Sequence, residues 1–222
     1  MNSKYRLIVF DVDGTLLNTA EGVLSSAKYA IAQMGFQIPS AAILETFIGP
    51  PIQDSFERVF HVQGNEKDQM ADMFRNRYKD VDLLKARPYN GIYDLMSSLQ
   101  QAGYKIAIAT YKRQDYAKRI TEYFDFNKYT DVICGSDFDG KMTKADIIQM
   151  AVEKSGMTSA DAIMIGDTMQ DATGARNQHM NFIAVTYGFG FKPDDVLPDG
   201  FCMGVADKPG EIFKIVEEAN KK

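Results

Sequence analysis

Short apolar runs alternate with longer stretches of helical periodicity along most of the chain. The runs at 7–10, 106–109, 131–133, 162–165 and 182–185 are continuously apolar rather than alternating, as in strands covered on both faces. Between them the spacing predicts helices near 91–102, 113–124, 143–155 and 170–178, with a last one near 209–220. Gly103 and Gly156 follow two of these helices, where a left-handed residue closes the final turn. Strand and helix in alternation predict an α/β, doubly wound, mainly parallel sheet.

The stretch from about 18 to 87 breaks the rhythm. It holds no convincing strand, only helical patterning such as Val23, Ala27, Ala30, Ile31 and Met34. Its turn signals are the Gly35 to Pro39 segment, Gly49-Pro50-Pro51 and Gly64-Asn65. Roughly 70 residues of helix between the first and second strands far exceed an ordinary crossover. The expected organisation is a Rossmann-like core of residues 1–17 and 88–222, with residues 18–87 as an inserted helical subdomain.

A length of 222 residues suits one large domain with an insert. With 45% hydrophobic and 25% charged residues, the composition excludes disorder, collagen and coiled coil. Net charge is −5 and no basic block occurs, so neither nucleic acid nor an anionic membrane is expected as a partner. A small anionic substrate remains compatible, because one pocket can be cationic on an acidic protein. Cys134 and Cys202 are too few for a disulfide framework or a zinc site, and His61 and His179 too few for a histidine-rich metal centre. Both histidines are expected to be structural or exposed. No signal peptide fits the polar start and no run approaches spanning length, so a cytoplasmic location is expected. Oligomeric state leaves no mark in the sequence.

In parallel α/β sheets the ligand sits beyond the carboxyl ends of the strands. Those ends carry Asp11-Val12-Asp13-Gly14-Thr15, then Thr110-Tyr111-Lys112, then Cys134-Gly135-Ser136-Asp137 with Lys141 and Lys144 following, then Gly166-Asp167 with Asp171 beyond. Parallel strands would bring Asp11, Asp13, Asp167 and Asp171 to one crevice. Two like charges about 4 Å apart repel by about 4 kcal/mol at an effective dielectric of roughly 20. Such a cluster calls for cations or protonation. Oxygen donors without His or Cys suit a hard ion, and Mg²⁺ is the natural choice.

The same set suits phosphoryl transfer. A carboxylate can attack phosphorus once a cation relieves the repulsion between two anions. A second carboxyl two residues on can protonate the leaving oxygen and then activate water. A Thr hydroxyl and a Lys ammonium can hold the equatorial oxygens as charge redistributes. Gly14 eases the sharp turn out of a buried strand.

Asp11-Val12-Asp13-Gly14-Thr15-Leu16 resembles the first motif of the haloacid dehalogenase superfamily of phosphohydrolases. Thr110 resembles the second motif, Lys144 in Lys141-Met142-Thr143-Lys144 the third, and Gly166-Asp167-Thr168-Met169-Gln170-Asp171 the fourth. The motifs fall in the family's order and span the chain except the insert. The resemblance implies Asp11 as nucleophile and metal ligand and Asp13 as general acid/base. It implies that the Asp13 carbonyl and the Asp167 side chain complete the Mg²⁺ ligands, with Asp171 supporting that shell or orienting Lys144. Thr110, the Tyr111 N–H and Lys144 would bind phosphate. The insert resembles the small α-helical cap of this superfamily, and with Phe47-Ile48-Gly49-Pro50-Pro51 it looks most like that of phosphoglycolate-phosphatase-type hydrolases.

Two positions depart from the pattern, and one motif leaves a choice open. Tyr111 stands where that subgroup usually has Ser or Asn, Asn18 replaces a common Asp, and both Lys141 and Lys144 are candidates for the third motif. Asp167 and Asp171 also read as caps of the following helix, and Gly188-Phe189-Gly190 reads equally as pocket rim or plain turn. The expected activity is a Mg²⁺-dependent phosphatase acting on a small phosphomonoester, of phosphoglycolate, nucleoside monophosphate or sugar phosphate type. A hexose-phosphate mutase on the same core is the alternative, and a pyrophosphatase stands behind it. A response-regulator receiver shares the Asp, hydroxyl and Lys, but its acceptor closes a middle strand and it has no helical insert.

Overall fold

The computed structural model describes residues 4–138, 141–195 and 200–221. Strand β1 (Leu7–Phe10) leads to a two-residue strand β2 (Leu17–Asn18). Helices α1 (Ala20–Gln33), α2 (Ala41–Glu45), α3 (Ile52–Phe60) and α4 (Gly64–Arg77) follow, then a π-helical turn at Tyr78–Asp82 and the short β3 (Arg87–Pro88). The chain continues through α5 (Ile92–Gln101), β4 (Lys105–Arg113), α6 (Gln114–Tyr123), β5 (Ile133–Ser136) and α7 (Lys144–Ser155). It ends with β6 (Ala162–Gly166), α8 (Met169–Asn177), β7 (Asn181–Val185), β8 (Cys202–Ala206) and α9 (Pro209–Ala219).

Six strands form one sheet in the order β5-β4-β1-β6-β7-β8, and every neighbouring pair is parallel. The doubly wound parallel core expected from the apolar runs is therefore what forms. All four residues of β1 are fully buried, as a strand with helices on both faces requires. β1 lies where the strand order reverses, so the crevice at its carboxyl end is the natural ligand position. Phe10 pairs with Ile108 on one side and with Ile165 on the other. That register brings Asp11, Ala109–Thr110 and Gly166–Asp167 to one level at the sheet edge.

Three strands differ from expectation. The run read at 131–133 forms its strand later, at Ile133–Ser136. There Gly135 lets the backbone pass so close to β4 that a Cβ would lie 2.5 Å from the Lys112 carbonyl oxygen. β4 runs on to Arg113 with a register shift after Ala109, so Thr110, Tyr111 and Lys112 lie in the strand instead of following it. β8 escaped the apolar reading because Gly204 interrupts it and its position at the sheet edge leaves much of it partly exposed.

Packing divides the chain between Leu17 and Asn18 and again between Arg87 and Pro88. Within the helical unit, rings run in sequence from Phe47 to Phe56 (centroids 5.5 Å apart), to Phe74 (6.4 Å) and to Tyr78 (5.5 Å). Asp82 is buried in the same unit; its Oδ2 accepts from Ser26 Oγ at 2.9 Å and Arg77 Nε at 3.1 Å, and its Oδ1 forms an ion pair with Lys85 Nζ at 2.8 Å. His61 ends α3 in a left-handed conformation and His179 turns the chain between α8 and β7; both are exposed. Among the described residues no helix is long and apolar enough to cross a membrane.

Candidate active site

β1 delivers Asp11 directly to the crevice, where its N–H extends the ladder to the Ile165 carbonyl at 3.0 Å. The chain then doubles back on Val12, whose carbonyl accepts from Leu16 N at 3.0 Å and Leu17 N at 2.9 Å. Gly14 takes φ +77° in this reversal, and a Cβ there would fall 2.0 Å from Asp167 Oδ2. Only glycine satisfies both the left-handed turn and the close approach.

Lys144 is the first residue of α7 and is 3% exposed. Its ammonium lies 2.5 Å from Asp11 Oδ1 and 2.7 Å from Asp171 Oδ1. Burial works against the charged lysine, but the attraction of Asp11 and Asp171 outweighs it and raises the Lys144 pKa. Lys141 is exposed, and its backbone N–H donates to Asp137 Oδ1 at 2.9 Å. The geometry thus separates the two candidate lysines.

Asp171 serves two neighbours at once. Its Oδ2 accepts from Thr168 N at 3.0 Å and Thr168 Oγ1 at 2.6 Å in a capping box for α8, while Oδ1 holds Lys144. Asp167 does not cap the helix; Thr168 does. Asp167 Oδ2 instead accepts from Phe189 N at 2.8 Å and Gly190 N at 3.2 Å. Gly188 lies over it so tightly that a Cβ would be 2.4 Å from the Gly14 carbonyl oxygen and 2.5 Å from Asp167 Oδ2.

The other oxygen, Asp167 Oδ1, is buried with no hydrogen-bond partner among the described residues. A buried carboxylate oxygen left without a donor is costly unless something occupies that position. Carboxylate oxygens of Asp11, Asp167 and Asp171 lie within 4.8 Å of one another. This all-oxygen donor set fits a hard divalent cation such as Mg²⁺. Both Asp171 oxygens are engaged by Lys144 and Thr168, which leaves Asp11 and Asp167 as the side chains facing such an ion. Burial, with repulsion from Asp171 and Asp13, outweighs the pull of Lys144 and raises the Asp11 carboxyl to about 7. Burial and the charges of Asp171 and Asp11 push Asp167 up to about 8 against the pull of the two N–H groups.

Thr110 is buried within β4, one strand over from Asp11, and its Oγ1 accepts from Lys112 N at 3.3 Å. Asp13 is partly exposed and stands apart from the buried trio, with Lys112 Nζ 2.8 Å from its Oδ1. Tyr111 turns its hydroxyl to the start of α7, where it accepts the Lys144 N–H at 2.9 Å. Sequence reasoning passed over Lys112 as a partner of Asp13, although the residue lies in the strand-end triplet it singled out. It also left open the part of Gly188-Phe189-Gly190, whose N–H groups hold Asp167.

A model of the haloacid dehalogenase-like hydrolase family matches residues 8–185. The chain is 34% identical over 208 residues to a 5′-nucleotidase of Pseudomonas aeruginosa, covering 91% of this chain and 93% of that one. It is 30% identical over 205 residues to a phosphoglycolate phosphatase of Agrobacterium fabrum, covering 87% and 88%. Among solved structures, a predicted phosphatase from Clostridium acetobutylicum matches with a TM-score of 0.88 at 35% identity, over 97% of this chain and all of that one. The chain belongs to the haloacid dehalogenase-like hydrolase family. Within that family it is a phosphatase, a hydrolase of phosphoric monoesters.

Proposed function

We propose that this phosphatase hydrolyses a small phosphomonoester, of phosphoglycolate, nucleoside monophosphate or sugar phosphate type, through an aspartyl phosphate on Asp11. The observation that carries the reading is the buried Asp11 carboxylate held by Lys144, beside an Asp167 oxygen that has no donor among the described residues. Asp11, Asp167 and the main-chain carbonyl of Asp13 are the groups that would hold Mg²⁺. When bound, that ion supplies positive charge that offsets repulsion between carboxylate and phosphate.

An Asp11 oxygen attacks phosphorus as the ester P–O bond breaks, and the Asp13 carboxyl gives its proton to the departing alkoxide. Asp13, now ionised, takes a proton from the water that attacks the phosphoaspartate. Inorganic phosphate leaves and Asp11 returns to a carboxylate. Lys144, the Thr110 hydroxyl and the Tyr111 N–H meet the charge that spreads over the equatorial oxygens. Residues 18–87 are assigned the role of cap, which chooses among phosphomonoesters.

The test is phosphate release from a panel of phosphomonoesters with Mg²⁺ and with excess chelator, beside Asp11→Asn. Metal-dependent release that the variant loses supports the reading. Release that survives in Asp11→Asn overturns it. Phosphate passed between sugar positions without release would indicate a mutase instead, and activity confined to inorganic pyrophosphate a pyrophosphatase.

A further inference from the structure

The unusual Tyr111 has a structural counterpart at the start of α7. A helix leaves its first N–H groups without partners of its own. The capping box accounts for two at this end: Thr143 N donates to Asp146 Oδ2 at 2.8 Å, and Asp146 N to Thr143 Oγ1 at 3.2 Å. Of the two N–H groups between them, that of Lys144 donates to the Tyr111 hydroxyl oxygen at 2.9 Å, a partner 33 residues away in the chain. The centroid of the same ring lies 5.7 Å from Lys144 Nζ. The lysine stem runs against α8, where a Cβ on Gly174 would lie 2.9 Å from Lys144 Cγ. Lys144 is therefore fixed at three points: its backbone by Tyr111, its stem by α8, and its ammonium by Asp11 and Asp171.

We propose that Tyr111 is a positioning residue, whose phenol oxygen anchors the first residue of α7 and so sets where the Lys144 ammonium stands between Asp11 and Asp171. This rests on the reading of Lys144 as a group that meets charge developing on the phosphoryl oxygens. The phenol matters for its reach. A serine or asparagine on the β4 backbone would end short of that N–H, so the tie between β4 and α7 depends on the length of the tyrosine. The bond acts on an equilibrium position, and small misplacements of a catalytic group cost rate steeply.

Tyr111→Phe keeps the ring and removes only the acceptor. We expect amide exchange at Lys144 to accelerate at least about tenfold, and kcat to fall about 3–10-fold with KM within about twofold. A group that acts on the transition state more than on the bound substrate shows that split. In a Lys144→Arg background, whose guanidinium has a different shape and reach, Tyr111→Phe should cost less than about twofold further. Thr143→Ala loosens the same helix end through its capping box, and should lower the melting temperature while leaving kcat within about twofold. An unchanged kcat in Tyr111→Phe overturns the proposal. So does a full independent loss in the Lys144→Arg background, or a kcat fall in Thr143→Ala as large as that in Tyr111→Phe. The exchange measurement needs no activity: unaltered protection of Lys144 in Tyr111→Phe removes the anchor even from an active enzyme. A wild-type protein that releases no phosphate overturns the proposed function, not the bond.

Discussion

Asp82 in the helical unit and Asp167 in the α/β core are equally hidden from water, each 0% exposed, yet their surroundings push them in opposite directions. Around Asp82, burial alone would favour the neutral acid, but hydrogen bonds from Lys85, Ser26 and Arg77 outweigh it and lower the pKa. Around Asp167, two backbone N–H groups reach one oxygen, the other has no donor among the described residues, and Asp171 and Asp11 add repulsion. The first carboxylate has a cation of its own unit against each oxygen, Arg77 on Oδ2 and Lys85 on Oδ1, as a structural ion pair requires. The second is left incomplete in a way that a bound cation completes. Degree of burial does not separate structural from functional acids here; the cations already held against the carboxylate do.

The sharpest break in that comparison is Asp11→Asn. Turnover should fall by more than about 10⁴-fold, as for loss of a nucleophile, while the melting temperature holds or rises because one of several crowded charges is gone. Phosphate release and a thermal melt on the same sample check both halves. Next comes Asp13→Asn, with a loss of about 10²–10⁴-fold if its carboxyl carries the proton. Single-turnover kinetics with a reactive aryl phosphate, whose leaving group needs no acid, should then show slowed breakdown of the phosphoenzyme and little change in its formation.

Asp82→Asn should do the reverse. It leaves the cationic groups of Arg77 and Lys85 facing a neutral amide, and should destabilise the fold by about 3 kcal/mol, the low end for breaking a buried pair, because both partners keep some contact with water. Below their melting temperatures, wild type and variant should share the same kcat. The folded Asp82 carboxyl titrates below the roughly 3.9 of an unfolded aspartate. Its contribution is therefore fully present above that value and is lost as pH falls through the folded pKa. Melts from pH 7 downward should show the gap between wild type and variant constant until about pH 4 and shrinking below it. A gap that instead widens in acid would contradict the assignment.

The mildest case is Gly188→Ala. Its methyl group would press on the Gly14 carbonyl and on Asp167, shifting the loop that holds the Asp167 carboxylate. The Mg²⁺ concentration for half-maximal activity should rise about 10–100-fold, the usual cost of disturbing the groups behind a metal ligand. A metal titration of activity reads it directly.

Much of the fold was legible because burial on both faces leaves an unmistakable trace: β1, β6 and β7 are unbroken apolar runs bounded by polar residues. β8 left no such trace because an edge strand needs fewer apolar positions, and its Gly204 reads as a turn. The Asp and Lys residues of the crevice could be read from strand ends alone, since parallel topology gathers the carboxyl ends of all its strands along one edge. Their partnerships could not. Lys112 reaches Asp13 from another strand, and the N–H groups on Asp167 come from 22 and 23 residues downstream. Neither distance has a sequence signature. The role of Tyr111 was hidden for the same reason: a tyrosine in that position says nothing about which N–H its hydroxyl will meet.

The two shortest strands carry a consequence of their own. β2 and β3 pair with each other, so the chain departs for the helical unit and comes back along adjacent tracks, roughly 5 Å apart as neighbouring strands are. To the sheet, about 70 residues between Leu17 and Pro88 are attached in the way a hairpin tip would be. A module joined like that can be replaced by a longer, shorter or unrelated one without moving β1 or the carboxylates behind it. The architecture keeps the carboxylate-bearing strand ends and the helical unit on separable stretches of chain, open to grafting one at a time.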